Sequence, residues 1–196
     1  SEPTMNCNWK IQERKWRREL LAHASGKIHD MGTGTGDNFE FYRPGVHVTA
    51  VDTGSKILEQ AKFKAALHQV ETEFILAPVQ DLFFERHRFD TIVSTFSLSA
   101  YHEPEIVLRQ YKHWCKPDGR ILLLEYGLSR NPVVNWLQQR WEPRHYRNTG
   151  SHINRDMLAL INRSGLTIHK LDVHYAGIVY LVWASLVPEN INVYAY

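Results

Sequence analysis

Cysteine is nearly absent from this 196-residue chain, methionine is scarce, and no apolar run is long. Cys7 and Cys115 share no Cys-x-x-Cys or Cys/His spacing of the kind that holds zinc, and two cysteines are too few for a disulfide-stapled fold. A reducing compartment is the simple expectation. No stretch approaches the roughly 20 apolar residues that cross a bilayer, so no transmembrane segment is expected and the chain as given reads as soluble. Charge of one sign is lacking too: the formal net charge is +2, so composition alone does not demand a nucleic-acid partner, although eleven histidines make the surface more cationic below neutrality. There is no initiator methionine before Ser1-Glu2-Pro3, no internal repeat and no low-complexity segment. Processing or truncation removes address signals, so these residues do not fix a compartment.

What is present is a core and a turn. With 43% hydrophobic side chains, the chain has enough to bury for one domain and too little length for two. Its organising stretch is Ile28-His29-Asp30-Met31-Gly32-Thr33-Gly34-Thr35-Gly36-Asp37, followed after about sixteen residues by Val48-Thr49-Ala50-Val51-Asp52. A short apolar run that breaks into three alternating glycines and resumes helically reads as strand, tight turn and helix start. Glycine permits positive φ and close ligand approach, and N–H groups at the next helix start receive polar ligand atoms. Asp52, ending the second apolar run, is placed to accept from ribose hydroxyls.

Around that pair the chain alternates. Residues 8–23 set Trp9, Trp16, Leu20 and His23 on one helical stripe, with Lys10, Arg14, Lys15, Arg17 and Arg18 between them, and predict a thin amphipathic helix across the mouth of a nucleotide site. Glu13 and Glu19 break the basic run, so the arginines read as a solvated face, with RNA contact the alternative. Strands are expected at 27–31, 46–52, 73–77, 89–94 and 121–125. A first crossover helix begins at Asp37 and is cut short by Arg43-Pro44-Gly45. Ser55 is expected to cap a second helix, Pro104 opens a third in its favoured first turn, and Lys116-Pro117-Asp118-Gly119 is a turn. Regular alternation stops over 127–151, where Val133, Val134, Trp136, Leu137 and Trp141 indicate an inserted helix. Asn154 is expected to cap a further helix that Gly165 terminates, and strands at 166–174 and 178–187 form an antiparallel pair. The pattern predicts a mostly parallel sheet with helices on both faces and ligands at the carboxyl ends of its strands.

The Gly-x-Gly-x-Gly turn, the acidic Asp52, the Pro117-Asp118-Gly119 turn before the fifth strand and the terminal strand pair together resemble the class I methyltransferases that use S-adenosylmethionine. The likeness extends over roughly residues 25–187. A nicotinamide-dinucleotide fold competes for the turn, but its Gly-x-Gly-x-x-Gly spacing needs glycine where Asp37 stands. Within the family, Gly32 through Tyr42 is similar to the small methyltransferase-like proteins that include alkyl-thiol methyltransferases and the Oms-type mitochondrial proteins; quinone-biosynthesis methyltransferases are a looser resemblance. The resemblance implies a doubly wound, Rossmann-like α/β fold with a seven-stranded sheet in the order 3-2-1-4-5-7-6, its last strand antiparallel. The chain then divides into an N-terminal amphipathic helix at 1–24, read from its apolar stripe, a methyltransferase domain at 25–187 with an inserted lid-like segment at 127–151, and a patternless tail at 188–196. The resemblance also implies S-adenosylmethionine as cofactor, S-adenosylhomocysteine as product and no metal. Asp30, Gly32, Thr33 and Gly34 would border the methionine end, Asp52 hold the ribose with Thr53 beside it, Val79 and Gln80 flank adenine, and Thr95, Phe96 and Ser97 line the wall below the sulfonium. One departure stands out: where the family often has an aspartate for the adenine amino group, this chain has Pro78, and Asp81 comes three positions late.

Methyl transfer from a sulfonium is an in-line displacement that needs positioning and exclusion of water rather than a covalent intermediate. A thiol, with a free pKa near ~8.5, reacts after modest help, and an aromatic wall supports a cationic methyl group. The expected reaction is methyl transfer to a small thiol, lipid-like or quinone-like acceptor. Tyr101 and His102 are the candidates for shaping the acceptor site, with a helix cap and a packed tyrosine as the structural alternative. Glu125 and Tyr126 end the fifth strand, Glu125 as a cavity residue or as an acceptor for loop amides. His145 and His152 lack a metal-ligand spacing. Trp136, Trp141 and Tyr146, interleaved with Arg140, Arg144 and Arg147, offer a protein or RNA partner a surface over 130–147; a packed lid helix is the bland reading. The alternative function is a catalytically weak or inactive methyltransferase-like scaffold in a mitochondrial protein–RNA assembly such as a maturing ribosome. The Oms-type likeness makes mitochondria the expected location, with the cytoplasm or the periphery of an organelle membrane as alternatives.

Overall fold

A computed structural model describes residues 2–150 and 152–186, with side chains from residue 8 onward except at 149. The expected tail at 188–196 and the end of the last expected strand, Val187, lie outside these residues. Twelve elements follow in order among them: α1 (Glu2–Leu21), β1 (Lys27–Met31), β2 (His47–Asp52), α2 (Ser55–Leu67), β3 (Glu71–Leu76), β4 (Phe89–Thr95), α3 (Pro104–Trp114), β5 (Cys115–Tyr126), α4 (Pro132–Thr149), α5 (Met157–Arg163), β6 (Thr167–His174) and β7 (Val179–Ser185). The strands form one sheet in the order β3-β2-β1-β4-β5-β7-β6. All pairings are parallel except those of β7, which runs antiparallel to β5 and β6. A parallel sheet needs cover on both faces because its strands are apolar on both. β1 shows this, with Ile28 packed into one core cluster and Met31 into the other.

The two covers differ. On one face α3 and α5 supply Val107, Leu108, Tyr111, Trp114, Met157, Leu160 and Ile161. On the other, Trp16, Leu20 and Leu21 of α1 pack with Phe39, Tyr42, Ala61 and Ala65 against Val93, Leu122, Leu124, Leu181 and Trp183. The expected first crossover helix is reduced to a single 3-10 turn, Phe39–Phe41. Only ten residues separate Gly36 from β2, and Pro44-Gly45 lies among them, leaving no room for two helical turns. α1 therefore carries much of the cover for this face. It is not thin: Trp16, Leu20 and Leu21 are all but inaccessible, while His23, expected on the inner stripe, is exposed.

Two caps also shift. α2 begins after Gly54 rather than Ser55, and α5 is capped by Asp156, whose carboxylate accepts from the Ala159 amide at 2.9 Å, rather than by Asn154. Asp156 equals Asn154 in capping propensity, whereas Gly54 ranks below Ser55 and caps without a side-chain bond. The Lys116–Gly119 turn lies within the span of β5 as an irregularity: Phe89 pairs with Cys115 and Thr91 with Arg120, so the four intervening residues bulge out.

If α1 is part of the core, Trp16→Ala should cost about 3–5 kcal/mol, read as a lower urea midpoint, whereas Ile11→Ala on its outer side should change stability by less than about 0.5 kcal/mol.

Candidate functional site

The parallel strands end on one edge of the sheet, and the turn after β1 begins there. Gly32 has φ +63°, and a Cβ on it would lie 2.5 Å from that of Ser97, so only glycine fits. Gly34, at φ +57°, differs: a Cβ there would meet nothing nearer than the Gly32 carbonyl at 4.0 Å, so its backbone faces open space. The Thr33 amide donates to the Val51 carbonyl at 3.0 Å. The Gly34 amide donates to Asp52 Oδ2 at 3.0 Å and the Gly54 amide to Oδ1 at 2.9 Å, while the Asp52 carbonyl accepts from the Ala77 amide at 3.1 Å. One residue ties together the turns after β1, β2 and β3. Each carboxylate oxygen keeps a second acceptor position for a ligand.

Beneath the turn lies a buried polar cluster. Asp30 has no exposed surface; its carboxylate accepts from Asn38 Nδ2 at 3.0 and 3.1 Å and from the Tyr42 hydroxyl at 2.7 Å. Burial pushes its pKa up despite these donors. Asp30 thus supports the turn from below. Arg17 of α1 completes the cluster, donating to Asn38 Oδ1 at 2.6 Å and Thr95 Oγ1 at 2.9 Å, with Glu13 as its ion-pair partner at 2.6 Å. The solvated-face reading of the arginines is therefore wrong for Arg17, which is 7% exposed. Its long side chain is drawn inward because Asn38 and Thr95 otherwise lack a cationic donor under the turn.

The far wall comes from β4 and β5. Thr95 and Ser97 are buried, and Phe96, at φ +54°, sets its ring 4.4 Å from that of Tyr126 and beneath the Arg17 guanidinium. Ser97 Oγ donates to the Met31 carbonyl at 2.9 Å, locking this wall to β1. Glu125 is fully buried, and its Oε1 accepts from Ser94 Oγ at 2.6 Å and from the amides of Leu98 at 3.0 Å and Ser97 at 3.3 Å. That is the loop-amide role. Burial raises its pKa to about 7, against the pull of those donors. Tyr101 is half-buried close to Gly32, its pKa raised by burial and by the Glu125, Asp52 and Asp30 carboxylates; His102 beside it is exposed. Val79 is buried in a 3-10 turn, Val79–Asp81, that follows β3 next to Asp52, and Thr53 and Gln80 are exposed at the rim.

This edge suits an adenosyl ligand: an open glycine backbone, a carboxylate with spare acceptor positions for a diol, and an apolar turn alongside. The comparisons agree. Residues 29–123 match the family model described as a methyltransferase domain. Over this span the chain carries a methyltransferase domain. Human thiol S-methyltransferase TMT1B is 32% identical over 155 residues, covering 71% of this chain and 62% of that protein. Yeast mitochondrial methyltransferase OMS1 is 24% identical over 176 residues, covering 80% of this chain and 37% of that protein. The chain thus spans less than two thirds of the human relative and little more than a third of the yeast one. A solved S-adenosylmethionine-dependent methyltransferase from Aquifex aeolicus has the same fold, with a TM-score of 0.62 at 16% identity over 88% of each chain.

Arg17, Asn38 and Tyr42, which no short motif marks, are the site residues not legible in the sequence. A signal was present: an arginine next to Trp16 of the helix's apolar stripe and an asparagine two residues after the glycine turn. His145 and His152 serve the insertion instead. His152 Nδ1 bonds Glu142 at 2.6 Å, and the His145 ring lies 6.4 Å from Tyr126. Among the described residues, no group of three or more His, Cys, Asp or Glu is placed to hold a metal ion.

Glu125 generates a pH prediction. The folded residue keeps its proton to about pH 7 and the unfolded one loses it near 4.5, so the native state binds the extra proton in that window and stability falls as pH rises through it. His29, buried and held neutral with its pKa lowered to about 3 by burial, works oppositely as pH falls below 6.5. Comparison with Glu125→Gln isolates the first effect. Between pH 5 and 8 the wild type should lose up to about 3 kcal/mol relative to the variant, measured by urea denaturation.

Proposed function

We propose that this chain transfers the methyl group of S-adenosylmethionine to a small thiol, with lipid-like and quinone-like acceptors as the neighbouring classes. The observation that carries the reading is the Asp52 carboxylate, held by the Gly34 and Gly54 amides beside an open glycine backbone. The thiol preference is supported by the name of the human relative. When bound, the cofactor supplies an electrophilic methyl group on a positively charged sulfur. In this reading the Asp52 oxygens accept from the two ribose hydroxyls, and Thr53 lies beside them. Val79, Pro78 and Gln80 flank the adenine, apolar contact standing in for the aspartate that the family often has. The backbone of Gly32, Thr33 and Gly34 borders the methionine end, with Asp30 fixing the turn rather than touching the ligand. Thr95, Phe96 and Ser97 form the wall below the reacting centre, where the Phe96 ring offers a π face to positive charge.

The acceptor thiol would give its proton to solvent and, as thiolate, take the methyl group held over the Thr95–Ser97 wall, with neutral S-adenosylhomocysteine as the leaving group. A thiol pKa near ~8.5 supplies a useful thiolate fraction at neutral pH, so positioning does most of the work. Tyr101 and His102 shape the acceptor side, and the α4 segment acts as its lid. A mitochondrial location is the companion reading, supported by the name of the yeast relative alone. Nothing in the site or the relatives favours the alternative of a non-catalytic scaffold in a maturing ribosome.

S-adenosylhomocysteine at one hundred times its dissociation constant should stabilise the fold by about 2.7 kcal/mol, seen as a raised Tm. Asp52→Ala should weaken that binding on the order of tenfold or more, because a charge-assisted hydrogen-bond acceptor is lost. Incubation with S-adenosylmethionine and an alkyl thiol should yield the methyl thioether by mass spectrometry. A Tm unmoved by either ligand would count against the reading.

A further inference from the structure

α4 is built inside out. Its buried side chains are polar: Gln138 donates to the carbonyls of Gly127 and Ile153 and accepts from the Ser129 amide, and Glu142 accepts from His152 and the Ile153 amide. Its large apolar side chains point outward, with Val133 68%, Trp136 62%, Leu137 38% and Trp141 65% exposed. A helix packed only for stability does the reverse. Its ends are nonetheless well defined, although Pro143 interrupts the interior: Asn131 caps it through the Val133 and Val134 amides, Pro132 occupies the first turn, and Gly150 ends it in the left-handed region. The outward face is therefore a designed surface.

Charge selects its occupant. Residues 130–148 contain Arg130, Arg140, Arg144 and Arg147, and the single acid among them, Glu142, is buried on the inner side. We propose that α4 lies in the headgroup region of an anionic lipid bilayer, with Trp136, Leu137, Val133 and Trp141 entering the acyl boundary and the arginines meeting lipid phosphates. Tryptophan and aliphatic side chains beside arginine are the chemistry of helices that lie in a membrane interface. A single-stranded RNA uses aromatic platforms, and the aliphatic Val133 and Leu137 give its bases no π face to stack on. The helix is also coupled to the site edge, because His145 meets Tyr126, whose ring contacts Phe96. Docking thus turns the acceptor side toward the lipid phase, the source of an apolar acceptor. The binding claim goes beyond the proposed reaction and does not depend on it.

Co-sedimentation of the chain with sucrose-loaded phosphatidylcholine vesicles, with and without phosphatidylserine, tests it. The protein should pellet with the phosphatidylserine vesicles at low salt, and far less with phosphatidylcholine alone or at high salt. Trp136→Ala/Trp141→Ala should reduce partitioning on the order of tenfold or more, and Arg140→Glu/Arg144→Glu should abolish the phosphatidylserine preference. Far-UV circular dichroism and Tm should stay at wild-type values in both variants, since none of the four side chains is buried. Equal pelleting of wild type and the tryptophan variant would overturn the proposal, as would no pelleting at low salt. So would absent vesicle binding combined with binding of a single-stranded RNA oligonucleotide, or with a dimer that the tryptophan variant dissolves.

Discussion

The carboxylate of Asp52 is the constraint on which the rest depends, because its two oxygens accept amides from two different turns. A hydrogen bond to a charged acceptor is worth about 1.5–3 kcal/mol, and two of them on one carboxylate hold the turns after β1 and β2 at one relative position. The Ala77 amide on the Asp52 carbonyl adds the turn after β3. Three strand ends are thereby fixed around one charge that still has acceptor capacity to spare. The sheet order supplies the geometry for this, since β3, β2 and β1 are adjacent and parallel and end together.

The underside of the same turn is secured differently. The crossover after β1 has shrunk to one 3-10 turn, and the polar residues beneath it are satisfied by α1 through Arg17. Asp30, Asn38, Tyr42, Thr95 and Arg17 form a single buried network, and a partly satisfied network of this kind is worse than none. That makes the N-terminal helix part of the site's support as well as part of the core. Glu125 plays the matching role on the wall, where its Oε1 holds the start of the loop after β4. Its burial with one oxygen lacking a hydrogen-bond partner explains why its pKa rises to about 7.

Much of this could be read from residues alone. Alternation of apolar strands with amphipathic segments carried the fold class, and the glycine turn with its distant Asp52 carried the family, because both are local patterns with a physical cause. The short crossover was half-readable: Pro44-Gly45 announced an early stop, but not that too few residues remained for an α-helix. Arg17 was misread because periodicity assigns a charged residue to solvent, and only the tertiary partners Asn38 and Thr95 reveal why burial is tolerated. The inversion of α4 was hidden for the same reason. Its composition showed tryptophan and arginine together, but which of them faces inward is decided by Gly127, Ile153 and His152, residues outside the helix.

The most direct measurement is a crystal structure of this chain with S-adenosylhomocysteine. The account predicts both ribose hydroxyls within hydrogen-bond distance of the Asp52 carboxylate while the Gly34 and Gly54 amides still donate to it, with the ligand lying over the Gly34 backbone. A ligand bound elsewhere, or an Asp52 side chain turned away from an occupied site, would contradict it.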